Sequence, residues 1–208
     1  MSKITIYGTP ASRAYRTLWM AEELGIDYEN IPVDFKKGET RAPEYLAINP
    51  NGKIPALGDG DLVLWESMAI NLYLARKYPG PLTPASLEDD ALATQWSIWG
   101  VLELETPLVT ILFNRFMLPE DKCDEAAAAK AEQAAQAPFK VINDILGGRD
   151  WLVGDGFSVA DLNVAGVVSV VRRINFDMSA YPNVDRWLER CITRPAAVAA
   201  GKLRAAAA

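Results

Sequence analysis

The sequence predicts an α/β N-terminal half followed by an all-helical C-terminal half. Three observations carry this. Residues 1–78 alternate between short strand-like runs and helical spacing, the cluster Pro79-Gly80-Pro81 with Pro84 breaks the chain, and from Leu87 onward no good strand pattern appears. The domains therefore read as 1–78, a linker at 79–86, and a helical domain at 87–208.

Ile4-Thr5-Ile6-Tyr7 is a short strand, and Ser12 to Leu24 carries apolar residues at Ala14, Leu18, Ala21 and Leu24, a helical spacing stopped by Gly25. Tyr28 to Val33 supplies a second strand. A polar loop from Asp34 to Ala42 leads into a short helix near Pro43 to Ala47. The Asp-Gly and Gly-Asp pairs at 59–61 permit the positive dihedrals of a tight turn, so residues 54–57 and 62–65 form an antiparallel hairpin. Ser67 is placed to cap a last helix from Met68 to Tyr78. In the second half the helical patterns run from Glu88 to Phe116, Asp124 to Leu146 with a kink at Pro138, Val159 to Arg173 and Val184 to Thr193, then a weak Ala-rich tail. Ser158-Val159-Ala160-Asp161 reads as a capping box, and the helix it opens is apolar nearly all round, which puts it in the centre of its domain.

Composition narrows the chemistry. The 208 residues are 50% hydrophobic with a formal net charge of −6, which fits a large buried core and disfavours nucleic acid or an anionic membrane as partner. The chain has no histidine, so Ser-His-Asp and Cys-His nucleophiles and His-ligated metals are excluded. Cys123 and Cys191 form no Cys-x-x-Cys, so neither a dithiol redox centre nor a metal site is expected. With no signal-like start and no apolar run of the roughly 18 residues that cross a bilayer, a cytoplasmic protein is expected.

The stretch from Asn49 to Ser67 carries the most chemistry. Proline cannot donate to a ladder, so Pro55 inside an apolar strand marks an edge, or backbone groups left for a peptide ligand. Ser67 at a helix N-terminus suits a carboxylate, and Glu66 beside it suits an ammonium group. In series these describe a receptor for a small zwitterionic peptide.

The order of elements, Asn49-Pro50-Asn51-Gly52-Lys53-Ile54-Pro55, Glu66-Ser67, the Ser158-x-x-Asp161 cap and Tyr181-Pro182-Asn183-Val184-x-x-Trp187 together resemble a cytosolic glutathione transferase over essentially the whole chain. Ser12-Arg13-Ala14-Tyr15-Arg16 is similar to the Ser-Arg-x-x-Arg opening of bacterial and fungal members. The resemblance implies a thioredoxin-like N-terminal domain, a helical bundle, and a two-fold homodimer built through the third and fourth main helices. It implies a cis bond before Pro55, backbone docking of glutathione on Ile54, its glycyl carboxylate on Lys53, and its γ-glutamyl end on Glu66 and Ser67. Glutathione is then a co-substrate, with no tightly bound cofactor and no metal.

Such an enzyme must supply a thiolate. A thiol of pKa about 8.5 is about 3% ionised at pH 7, and lowering it by about two units requires roughly 2.7 kcal/mol. By resemblance Ser12 is the candidate catalytic hydroxyl, with Tyr7 and Thr9 as rivals and Arg13 near the thiolate or the second substrate. Trp99, Glu103 and Thr106, on the first long helix of the helical domain, are the candidate wall of the inter-domain cleft for a small, partly apolar electrophile. The function implied is transfer of glutathione sulfur to that electrophile, in a detoxification setting. The alternatives are a glutathione-dependent peroxidase, an isomerase or dehalogenase, and a non-catalytic glutathione-binding protein.

Overall fold

A computed structural model describes residues 3–207. By contacts the chain divides into two compact units, one running to Thr83 and regained from Thr193 onward, the other spanning Pro84–Ile192.

The first unit is built on a four-stranded sheet in the order β2-β1-β3-β4. Strand β1 (Ile4–Tyr7) lies parallel to β2 (Tyr28–Ile31) and antiparallel to β3 (Ala56–Asp59), which pairs antiparallel with β4 (Leu62–Trp65). The parallel pair needs a crossover, and helix α1 (Ala14–Leu24) provides it. Gly25 ends α1 at φ 58°, donating to the carbonyls of Ala21 and Glu22. Helix α2 (Pro43–Leu46) is a single turn, and α3 (Ser67–Lys77) packs against α1. The core between sheet and helices is filled by Ile4, Ile6, Leu18, Trp19, Leu57, Ile70 and Leu74, each at most 1% exposed.

Two boundaries differ from the sequence expectation. β3 starts at Ala56 rather than at Ile54, because a residue without an N–H cannot continue the ladder and Pro55 stands outside it. The turn is two residues, Gly60-Asp61, with Gly60 at φ 60°. Ser67 is the first helical residue, and the cap position falls to Glu66.

The Ala-rich tail is a full helix, α10 in chain order (Pro195–Ala206), and it packs against α1. Its contact residues Ala197 and Ala200 are small, which lets the two helix backbones approach closely. Arg194 donates to both carboxylate oxygens of Glu23 at 2.7 and 2.8 Å, and the Arg204 guanidinium lies 4.9 Å from the Tyr15 ring centroid. These contacts group residues from Thr193 onward with the first unit, whereas the sequence pattern assigns them to the helical half.

The second unit is helical throughout, and no strand occurs among its described residues. Its first helical segment runs from Leu87 to Met117 as α4 (Leu87–Trp99), a π-helical stretch (Gly100–Glu105), α5 (Thr106–Leu112) and a second π-helical stretch (Phe113–Met117). By length and composition this helix could cross a membrane, at mean hydropathy 1.2. Half of its apolar window is buried inside the protein, as in the core helix of a globular fold.

Helix α6 (Glu125–Ile145) accommodates Pro138 in its interior. Helix α7 (Val159–Val168) is buried along its whole length and begins with the expected capping box. Short α8 (Val170–Arg173) and α9 (Pro182–Ile192) complete the unit. The Asp161 carboxylate is the hub of this unit. It accepts from the Leu152 and Ser158 N–H groups, the Ser158 hydroxyl and the Trp187 indole at 2.9–3.0 Å.

Candidate active site

Three segments of the first unit bring the expected site residues to one end of the sheet. The first is the turn between β1 and α1. Ser12 is half-buried, and its hydroxyl donates to the Thr9 carbonyl at 2.7 Å while accepting from the Ala14 N–H at 3.1 Å. The hydroxyl therefore already serves the start of α1 as an acceptor. Thr9 contributes its carbonyl to that bond, and Arg13 is exposed at the cap position of α1. Tyr7 points elsewhere. Its ring edge lies 3.5 Å, and its hydroxyl 3.8 Å, from where a Cβ on Gly58 would stand, over β3.

The second segment is the loop from Asn49 to Pro55. Buried Asn49 organises it by donating to the Lys53 carbonyl at 2.7 Å and accepting from the Asn51 N–H at 3.1 Å. The Tyr45 hydroxyl also donates to the Lys53 carbonyl at 2.7 Å, and burial pushes this phenol up to about 12, so it stays a donor at neutral pH. Lys53 itself is exposed. The Ile54–Pro55 bond is cis, and since the ladder ends at the pairs of Ala56 with Tyr7 and Trp65, Ile54 lies beyond the paired segment.

The third segment is the join between β4 and α3. Glu66 is exposed and adopts φ 73°, ψ 112°, a backbone conformation that costs a non-glycine residue on the order of 1–3 kcal/mol. Ser67 is 6% exposed and opens α3, where the first backbone N–H groups have no partner within the helix. The strained residue stands directly before the helix N-terminus.

Arg41 escaped the sequence reading. Its guanidinium donates to the Asn51 carbonyl at 3.4 Å and lies over Gly52, so a Cβ there would stand 2.7 Å from it. It is thus a second cation beside Lys53. The available signal was Gly52, whose φ of 60° and crowding both require glycine, but nothing in the sequence pairs it with Arg41 across the turn.

The expected second-substrate residues lie in the second unit. Trp99 ends α4, half-buried, with its ring 5.1 Å from Trp96 and nearly perpendicular to it. Glu103 is exposed within the π-helical stretch, and Thr106 is exposed at the start of α5. The π-helical turns from Gly100 to Glu105 are wider than α-helical ones, so Glu103 and Thr106 do not keep the phase an unbroken α-helix would give them relative to Trp99.

A four-stranded mixed sheet with a crossover helix, a cis-proline just before β3 and a helix N-terminus after β4 defines a thioredoxin-like domain, in a chain that also carries a helical unit. The family models for the glutathione S-transferase N-terminal domain and C-terminal domain match residues 2–76 and 106–195. The chain is 37% identical over 207 residues to the probable glutathione S-transferase GSTF2 of Oryza sativa subsp. japonica, covering 94% of each. It is 32% identical over 197 residues to glutathione S-transferase GstB of Escherichia coli strain K12, covering 93% of this chain and 95% of that one. Among solved structures, the theta class glutathione S-transferase of Xanthomonas axonopodis pv. citri with glutathione bound superposes at a TM-score of 0.89, with 31% identity over 96% of this chain and 97% of that one. The chain belongs to the glutathione S-transferase family.

Proposed function

We propose that this protein is a glutathione transferase that holds glutathione on its first unit, stabilises the thiolate through Ser12, and transfers the sulfur to a small, partly apolar electrophile. The observation that carries the reading is the alignment of three complementary groups around one end of the sheet: the unladdered backbone at Ile54, the strained Glu66 before the N-terminus of α3, and the Ser12 hydroxyl before α1. Glutathione is an extended tripeptide with an anionic end, a zwitterionic end and a thiol between them. Its backbone adds to Ile54 in the manner of an added strand. Lys53, with Arg41, takes the glycyl carboxylate, while Glu66 and Ser67 take the γ-glutamyl ammonium and carboxylate.

The chemical step needs an anionic sulfur. An ionised acceptor forms a hydrogen bond about twice as strong as a neutral carbonyl does, so bound thiolate draws the Ser12 proton away from the Thr9 carbonyl. The Ala14 N–H continues to donate to the Ser12 oxygen, which polarises its O–H and strengthens it as a donor. The N-terminal end of α1 adds a positive potential at the same place. Thiolate attack on the electrophile then forms the carbon–sulfur bond and expels the leaving group. Arg13 follows Ser12 directly and places a cation next to it in the chain.

The protein works as a cytoplasmic homodimer in detoxification. The large apolar side chains exposed along the first helix of the second unit, Leu87 at 80%, Ile98 at 55% and Leu102 at 68%, support a covered helical face. Gel filtration at monomer size would count against the dimer.

Calorimetric titration with glutathione, followed by assay against a halonitroaromatic and cumene hydroperoxide, tests the activity. Binding with conjugation of the halonitroaromatic is the expected result. Turnover of the peroxide alone would make the protein a peroxidase, binding with neither turnover would make it a ligand-binding protein, and absence of binding would end the proposal.

A further inference from the structure

Asn30 is out of place for its strand. In β2 the half-buried positions are Tyr28 and Asn30, while Glu29 and Ile31 are exposed. Positions on the covered face of a strand favour β-branched or aromatic residues, and a carboxamide there must find partners. Asn30 donates from Nδ2 to the Ile6 carbonyl at 2.9 Å and to the Gly8 carbonyl at 3.0 Å. Ile6 is its register partner in β1, and Gly8 is the residue that follows β1. The Gly8 N–H is held as well, by the Ile31 carbonyl at 2.9 Å.

Gly8 is a wedge between two parts of the site. A Cβ on it would stand 3.0 Å from the Ala14 Cβ and 3.1 Å from the Ile54 Cβ, and its φ is 135°. Close packing therefore demands glycine here, the residue that restrains its own peptide least. The next residue, Thr9, carries the carbonyl that receives the Ser12 hydroxyl. Without an outside restraint the peptide between Gly8 and Thr9 could turn, and Ser12 would lose its orientation.

We infer that Asn30 is a positioning residue: by clamping the Gly8 carbonyl, its carboxamide fixes the turn from Thr9 to Ser12 and so aims the Ser12 hydroxyl at the glutathione sulfur. The inference rests on the assignment of Ser12 as thiolate donor. The test is the pKa of enzyme-bound glutathione, read from thiolate absorbance against pH, alongside calorimetry with S-methylglutathione, which has no ionisable thiol. Asn30→Leu keeps the branching and the number of heavy atoms and removes both donors. Asn30→Val, a β-branched residue that strands favour and that carries no donor, gives the same reading should the leucine variant fail to fold.

Either variant raises the bound thiol pKa by about half a unit to one unit, about threefold to tenfold less thiolate at a fixed pH below it. S-methylglutathione affinity stays within about threefold, a difference smaller than one lost hydrogen bond. Added to Ser12→Ala, Asn30→Leu produces no further rise, since two residues acting through one hydroxyl are not additive. An equal rise in both backgrounds would overturn the positioning role and leave Ser12 in place. Weaker S-methylglutathione binding with an unchanged thiol pKa would overturn it too, making Asn30 a support for docking. An unchanged pKa in Ser12→Ala alone would remove the Ser12 assignment itself, and the role of Asn30 with it.

Discussion

The Ser12 hydroxyl donates to the Thr9 carbonyl at 2.7 Å while accepting from the Ala14 N–H at 3.1 Å, so one oxygen both ties down the first N–H of α1 and holds a proton in reserve. These two bonds separate the effects of removing it. Ser12→Ala should cost about 1 kcal/mol of stability through the lost hydrogen bond to the Ala14 N–H. It should lower kcat/KM by about tenfold to a hundredfold, the range for a lost hydrogen bond to a charged group. Thermal unfolding and steady-state kinetics measure the two separately. Full activity in a slightly destabilised variant would mean that the serine only supports the turn.

Glu66 couples a strained backbone to a binding role. Glu66→Gly removes the Cβ that makes φ 73° costly, and relief of strain outweighs the extra freedom of glycine in the unfolded chain, for a net gain of about 1 kcal/mol. The same change removes the carboxylate proposed to hold the γ-glutamyl ammonium. Glutathione affinity should therefore fall while the unfolding midpoint rises. Both moving in the same direction would show that the strain serves no ligand.

Asp59, at the end of β3, is buried and shared by Tyr73 and Lys77 from α3. The Tyr73 hydroxyl donates to it at 2.6 Å, and the Lys77 ammonium pairs with the same oxygen. Hydrogen bonding to Asp59 holds both Tyr73 and Lys77 above their ordinary pKa values. A raised pKa in the folded state contributes stability that is complete below the unfolded value, about 10 for both groups, and is lost as pH rises through the folded one. Stability should accordingly decline above pH about 10. Lys77→Met should be less stable at neutral pH and show a shallower alkaline decline, measured by urea unfolding across pH. An unaltered alkaline slope would dissociate Lys77 from it.

Much of this architecture was legible because local chemistry and global fold agree. Ile4 to Tyr7, the Gly25 stop, the tight turn at Gly60-Asp61 and the Ser158–Asp161 capping box each express a rule that acts within a few residues, and each stands in the structure. The chain positions of Ile54, Glu66 and Ser67 were equally legible, since proline, hairpin and helix start follow one another in sequence. What escaped depends on distant partners. Arg41 meets Gly52 across a turn, Asn30 meets Gly8 across strands, and the tail becomes a helix on α1 through Glu23 and Arg194, far apart in sequence. The π-helical stretch at Gly100–Glu105 was hidden for another reason: its composition is that of an ordinary helix, and only its packing reveals the wider turn.

The last of those distant contacts is also the most testable for stability. The Glu23 side chain is 5% exposed, and its carboxylate accepts the Trp19 indole N–H at 3.0 Å and both Arg194 donors. Removing one partner of a buried pair costs about 3–5 kcal/mol because the other charge is left in a dry site. Arg194 is about a third exposed, so water can replace part of it and Arg194→Ala should cost about 2 kcal/mol. Neutralising the stranded carboxylate in Glu23→Gln/Arg194→Ala should recover part of that loss, since Gln can still accept from Trp19. A double-mutant cycle in urea gives the coupling, and a cycle that closes at zero would mean that α10 is held on α1 by its apolar contacts alone.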